Sequence, residues 1–164
     1  MQHVFAPWRF AYVSHAEAPT SCIFCTAAAG SGDLTVLAGE QAFVMLNRFP
    51  YTSGHAMVAP VAHVAEIGGL DPAVLAEMMR LAQRVVGALR ELYRPHGFNI
   101  GFNLGEAAGA GIVDHLHLHV VPRWRGDTNF MTVSGGVRVI PEDLAATCGK
   151  LRAALEAQGN GRGD

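Results

Sequence analysis

Three histidines alternate with apolar residues in the run His115-Leu116-His117-Leu118-His119-Val120-Val121-Pro122. On a strand, alternate side chains share a face, so the imidazoles would form one row with successive Cα atoms about 6.7 Å apart. Leu116, Leu118 and Val120 would point the other way, into a core. Such a row has two chemical uses. It can ligate a metal, as paired strand histidines do in zinc sites. Alternatively, one imidazole can attack phosphorus while a neighbour handles the proton. A neutral imidazole is available for attack at pH 7 because its ordinary pKa is about 6.5.

The segment before the row bears on that choice. Asn103, Gly105, Gly109 and Gly111 lead directly into it. Glycines let backbone N–H groups approach and cradle phosphate oxygens, and Asn103 adds an amide donor. A Gly-rich loop alone is a common turn. Beside a histidine row it favours phosphate chemistry. Elsewhere, Cys22-Ile23-Phe24-Cys25 has the spacing of a metal knuckle, although two cysteines alone are as compatible with buried thiols. Cys148 falls in a helical pattern and reads as buried.

Several elements must hold these residues. Leu34–Leu37 and Phe43–Leu46 read as short strands around Gly39-Glu40, and His55–Val61 as a third. Asn47–Gly54, with its Pro, Asn, Ser and Gly, is a turn-rich connection. A helix starts at Asp71, an N-cap followed by Pro72, and carries Val74, Leu75, Met78, Met79, Leu81, Val85, Val86, Leu89 and Leu92 at helical spacing. Arg94-Pro95-His96-Gly97 stops it. Phe98, Ile100, Phe102 and Leu104 alternate with Asn99, Gly101 and Asn103, predicting a fourth strand. Asp114–Val121 is predicted as the fifth. Pro141–Ala157 reads as a second helix with Leu144, Cys148, Leu151 and Leu155 on one side. A single domain is expected over 1–157, with a disordered tail over 158–164.

Composition excludes some classes. The 12 Lys/Arg against 14 Asp/Glu give a formal charge of −2. No basic stripe offers to neutralise a nucleic-acid backbone. No apolar run is long enough for a bilayer, and Met1 to Phe10 do not read as a signal peptide. With 3 cysteines, an odd number, there is no disulfide framework. A cytoplasmic protein with no nucleic-acid or membrane partner is the expectation.

The His-x-His-x-His run followed by Val-Val-Pro resembles the signature of the histidine triad (HIT) superfamily of nucleotidyl hydrolases and transferases. Pro50-Tyr51-Thr52-Ser53-Gly54-His55, Val58-Ala59-Pro60-Val61-Ala62-His63 and Asn99 to Gly105 resemble its other motifs. Ala6-Pro7-Trp8-Arg9 and Pro122 to Met131 are similar to the diadenosine tetraphosphate phosphorylase branch. The likeness covers roughly residues 5–155. It implies an α+β fold: an antiparallel sheet of about five strands, one long helix and a C-terminal helix. It also implies cleavage of dinucleoside polyphosphates through a nucleotidyl-histidine intermediate, with water or orthophosphate as acceptor.

The resemblance assigns roles. His117 is the nucleophile, its second ring nitrogen donating to a backbone carbonyl, and His119 contacts the phosphate and departing oxygen. Asn103, Gly109, Ala110 and Gly111 match the phosphate-contacting stretch. Asn47 stands where the family reaches the ribose hydroxyls; as a residue it equally suits a turn before Pro50. Phe43 and Met45 could wall a base pocket or be strand core. Trp124 could stack on a base or sit at a subunit contact, and His55 reads as buried and hydrogen-bonded. Many members carry Gln then Ser or Thr after the loop's Ala-Gly, whereas Ala108-Gly109 is followed here by Ala110-Gly111. A side-chain contact to the bridging oxygen is therefore missing, which leaves the acceptor open. Some members with the N-terminal cysteine pair bind structural zinc, implying Cys22, Cys25, His63 and His115 as ligands. A homodimer or homotetramer is implied. The competing readings are a phosphoramidate-type nucleotide hydrolase, a hydrolase with a catalytic metal on the three histidines, and a non-catalytic nucleotide-binding protein.

Overall fold

The computed structural model describes residues 21–127 and 142–160. The Ala6–Arg9 motif, Thr128 to Met131, Pro141 and residues 161–164 lie outside that range. Five strands form one antiparallel sheet: β1 (Thr35–Ala38), β2 (Ala42–Leu46), β3 (Ala56–Pro60), β4 (Gly97–Phe102) and β5 (Leu118–Arg123), in the order β1-β2-β3-β5-β4. Among the described residues three α-helices accompany it: a short α1 (Ile23–Thr26), which runs on into the helical stretch Ala27–Ser31, the long α2 (Pro72–Tyr93) and α3 (Leu144–Asn160). This is the α+β architecture that the resemblance implied.

The long helix forms where its signals lie. The Asp71 carboxylate accepts from the Ala73 N–H at 2.8 Å, satisfying a donor the first turn leaves open. At the other end Arg94 turns left-handed, φ 47°, and its N–H closes on the Arg90 carbonyl. Val74, Met78, Leu81, Val85 and Leu89 are buried against the sheet. Met79, counted in the same stripe, lies at its edge and is 47% exposed. The Glu77 carboxylate accepts from the N–H groups of Glu40 and Gln41, so α2 also pins the β1–β2 turn. The second helix starts later than expected, because Asp143 caps it by accepting from the Ala146 N–H. It runs to Asn160, so the tail expected from Gln158 is helical through residue 160. No helix among the described residues is long and apolar enough to cross a membrane.

Register decides what shares a face. Phe102, Leu118, Val58, Val44 and Leu37 form one cross-strand row, entirely apolar. The neighbouring row, Gly101, His119, Met57, Met45 and Thr35, points to the opposite face. His119 thus sits over apolar Met57 and Met45, beside a glycine that leaves room on the edge strand.

The expected fifth strand, Asp114–Val121, is corrected. The ladder begins only at Leu118. Opposite this point β3 ends in Pro60, which has no N–H to donate. The Pro60 carbonyl is taken by the His115 ring, and the Leu116 N–H goes instead to the Val64 carbonyl at 2.7 Å. The chain therefore peels off the sheet through His115 and His117.

Candidate active site

That departure gives each histidine of the run a different setting. His115 is fully buried, and its Nε2 lies 2.9 Å from the Pro60 carbonyl oxygen. A carbonyl only accepts, so Nε2 carries the proton and Nδ1 presents a lone pair. That lone pair faces Cys22 Sγ at 3.4 Å, Cys25 Sγ at 3.7 Å and His63 Nδ1 at 3.3 Å. Cys25 Sγ is 3.2 Å from His63 Nδ1. Ligands at about 2.3 Å (sulfur) and about 2.0 Å (nitrogen) around tetrahedral zinc stand about 3.3–3.8 Å apart. Four of the six donor–donor separations, 3.2–3.7 Å, are close to those edges, all four donors lie within 4.8 Å of one another, and the Pro60 carbonyl supplies the outer hydrogen bond that metal-bound histidines use. Chemistry and spacing therefore fit a closed zinc site.

His117 turns elsewhere. Its Nδ1 donates to the His115 carbonyl at 2.8 Å, which leaves Nε2 as the bare lone pair. Burial pushes this imidazole below its ordinary pKa, only partly offset by that hydrogen bond, so it is neutral at pH 7. The His119 ring lies edge-on to it, centroids 4.8 Å apart.

The protonation of His119 follows from a chain that begins at His55. The Tyr51 N–H donates to His55 Nδ1 at 3.1 Å, so that nitrogen is unprotonated. His55 Nε2 then carries the proton and donates to His119 Nδ1 at 2.9 Å. His119 in turn keeps its proton on Nε2. Burial, then the neighbouring His117, push His119 down to about 4, so it too is neutral at pH 7. A bare nitrogen on one ring and an N–H on the next, neither hydrogen-bonded among the described residues, is an arrangement that can supply a nucleophile beside a hydrogen-bond donor.

The turn that delivers His55 is tightly built. Gly54 has φ 78°, and a Cβ there would meet Leu89 at 2.7 Å. Thr52 donates to the Pro122 carbonyl, and the Asn47 N–H to that of His55. The Asn47 side-chain oxygen accepts from the Phe49 N–H at 2.9 Å. Asn47 thus serves the turn through its side-chain oxygen. Phe43 and Met45 are buried core residues on the His119 face of the sheet.

The predicted phosphate loop is brought to the same end of the sheet. Asn103 follows β4 on the Gly101 face, and its side chain makes no hydrogen bond among the described residues. Gly109 is left-handed, φ 84°, but its N–H closes a tight turn on the Glu106 carbonyl, so it is not a cradle donor. The N–H groups of Ala110 and Gly111 have no such internal bond among the described residues. Trp124 donates to the Tyr93 carbonyl at 3.4 Å, at the far end of β5 from His117.

One residue escaped the sequence reading. Phe24, inside the cysteine knuckle, is fully buried and packs on His117 at 4.7 Å and on His115 at 5.0 Å between centroids. An apolar residue flanked by two metal-type cysteines was the available signal.

The sequence pattern of the HIT domain matches residues 31–126, and the chain belongs to that family. Among curated relatives, the AP-4-A phosphorylase of Mycobacterium tuberculosis is 46% identical over 114 residues, 70% of this chain. The chain spans only 58% of that relative's length. Among solved structures, a zinc-bound histidine triad family protein of Mycobacterium smegmatis is 34% identical, with TM-score 0.71 over 87% of this chain and 98% of that one. A hypothetical histidine triad nucleotide-binding protein of Sulfolobus tokodaii is 25% identical, with TM-score 0.71 over 87% and 97%.

Proposed function

We propose that this protein cleaves dinucleoside polyphosphates of the diadenosine tetraphosphate type through a nucleotidyl-histidine intermediate. The observation that carries this is the complementary pair: the bare Nε2 of His117 beside the Nε2–H of His119. His117 Nε2 attacks the α-phosphorus, and the P–O bond to the remaining polyphosphate breaks. The His119 N–H meets the charge that builds on the departing oxygen, in a site where burial makes that contact strong. The imidazolium formed on His117 is stabilised by its Nδ1–H bond to the His115 carbonyl. Water or orthophosphate then displaces the nucleotidyl group and restores neutral His117. Asn103 and the Ala110 and Gly111 amides hold the phosphate oxygens, Asn47 the ribose, and Phe43 and Met45 underlie the base. The 46% identity to an AP-4-A phosphorylase supports the substrate class.

A catalytic metal on the three histidines is disfavoured by geometry. The His115 lone pair faces the cysteines, and His117 Nδ1 is spent on a carbonyl. The four-donor cluster is assigned to structural zinc, in keeping with the zinc-bound relative. Its thiol ligands suit a reducing, cytoplasmic setting. β4 is an edge strand of the described sheet with Ile100 45% exposed, which suits pairing with a second copy in a homodimer or homotetramer.

Product analysis tests the reaction. With diadenosine tetraphosphate, ADP plus ATP in the presence of orthophosphate means phosphorolysis, and AMP plus ATP means hydrolysis. Turnover confined to adenosine phosphoramidate would move the substrate class. Nucleotide binding without any turnover would overturn the enzyme reading.

A further inference from the structure

The His117 ring is held from two sides. The His115 carbonyl takes its Nδ1–H, and the Phe24 ring lies across its face at 30°. Both holders belong to the Cys22–Cys25–His63–His115 cluster: His115 supplies a donor atom, and Phe24 sits between the two cysteines. We infer that Phe24 is a positioning residue for His117, and that a closed metal site at this cluster keeps it seated. This rests on His117 being the nucleophile.

α1 has 4 residues and no side-chain cap at Cys22. Even with the helical stretch Ala27–Ser31 that continues it, so short a helix has no stability of its own in water. The segment is held by burial of Phe24 and Ala27 in the core and by whatever ties its cysteines to His63 and His115. The thiols lie 3.2–3.7 Å from those ring nitrogens, close enough for weak S–H···N hydrogen bonds and, around a shared metal centre, for firm ligation. Without that centre the tie is weak, and Phe24 can leave. The His117 ring then gains water and rotamer freedom, and its lone pair is no longer aimed. Asn103 and the 110–111 amides lie in the loop after β4, apart from α1, so nucleotide capture survives while the chemical step suffers.

The test uses zinc-loaded wild type, zinc-loaded Phe24→Leu and chelator-stripped wild type. Three quantities are read: zinc per chain, the rate at which diethylpyrocarbonate modifies His117 (by peptide fragmentation), and kcat and KM on diadenosine tetraphosphate. Phe24→Leu is expected to keep its zinc, expose His117 to faster modification, and lose about ten- to a hundredfold in kcat with KM little changed. Stripped wild type should show the same faster modification. Unchanged modification in both would overturn the proposal. Zinc loss from Phe24→Leu would also overturn it, making Phe24 part of the metal site's packing. Should wild type turn over no nucleotide, the proposed function fails, and the modification rates alone decide the role of Phe24. If Phe24→Leu does not fold, the stripped wild type carries the comparison.

Discussion

His119 should make the fold sensitive to acid in a way that one substitution removes. Its imidazole is held at about 4 when folded, whereas an unfolded histidine titrates at about 6.5. The sign follows directly. Above about pH 6.5 both states are neutral and the group adds no pH dependence. As the pH falls below that, the unfolded chain binds a proton the folded chain refuses, so stability drops until about pH 4 and then levels. Between pH 7 and pH 5 the loss from this one group is about 2 kcal/mol, and about 3 kcal/mol by pH 4. The perturbation is His119→Gln, which keeps an amide oxygen to accept from His55 and has no proton to gain. Urea unfolding of both proteins at pH 7 and pH 5, with zinc present, gives the difference. Protonation of other histidines and of the metal ligands occurs in both and cancels. Wild type should lose about 2 kcal/mol more than His119→Gln over that interval. Equal losses would refute the claim that His119 is held neutral by burial.

His55→Phe removes the N–H that fixes the His119 tautomer. It should lower kcat by about tenfold or more, with His55→Gln recovering part of it, as steady-state kinetics would show. If Phe and Gln behave alike, the donor is irrelevant. Cys22→Ser should lower both zinc content and the unfolding midpoint; elemental analysis finding no zinc in freshly purified wild type would end the metal assignment. Pairing of copies through β4 predicts that Ile100→Lys shifts the sedimentation profile toward monomer while leaving the helical circular dichroism unchanged.

Much of this was legible in the residues. Asp71-Pro72 and Arg94-Pro95 fixed both ends of α2 because caps act locally, within one turn of chain. Alternation put Gly101 on the small polar face of β4 and His119 opposite the leucines of its own strand, whereas the register that sets the two side by side is visible only in the fold. The strand through His115 was misjudged because its end depends on a distant residue, Pro60, whose missing N–H and diverted carbonyl break the ladder. The Gly109 amide was counted as a phosphate donor, since composition does not reveal that a 3-10 turn consumes it. His55 was rightly read as buried and hydrogen-bonded, but its partner, 64 positions away, could come only from the fold. Phe24 was passed over because its contacts are all long-range and its neighbours drew attention to their sulfur.

The most direct measurement is of the covalent intermediate. A phosphorus–nitrogen bond to imidazole survives alkali and breaks in acid. Intact mass after rapid alkaline quench of protein mixed with diadenosine tetraphosphate should therefore show one added adenylyl group, mapped to His117. The adduct should vanish on acidification and be absent from His117→Ala, which should still bind nucleotide. An adduct on another residue, or full turnover by His117→Ala, would contradict the assignment of His117 as nucleophile.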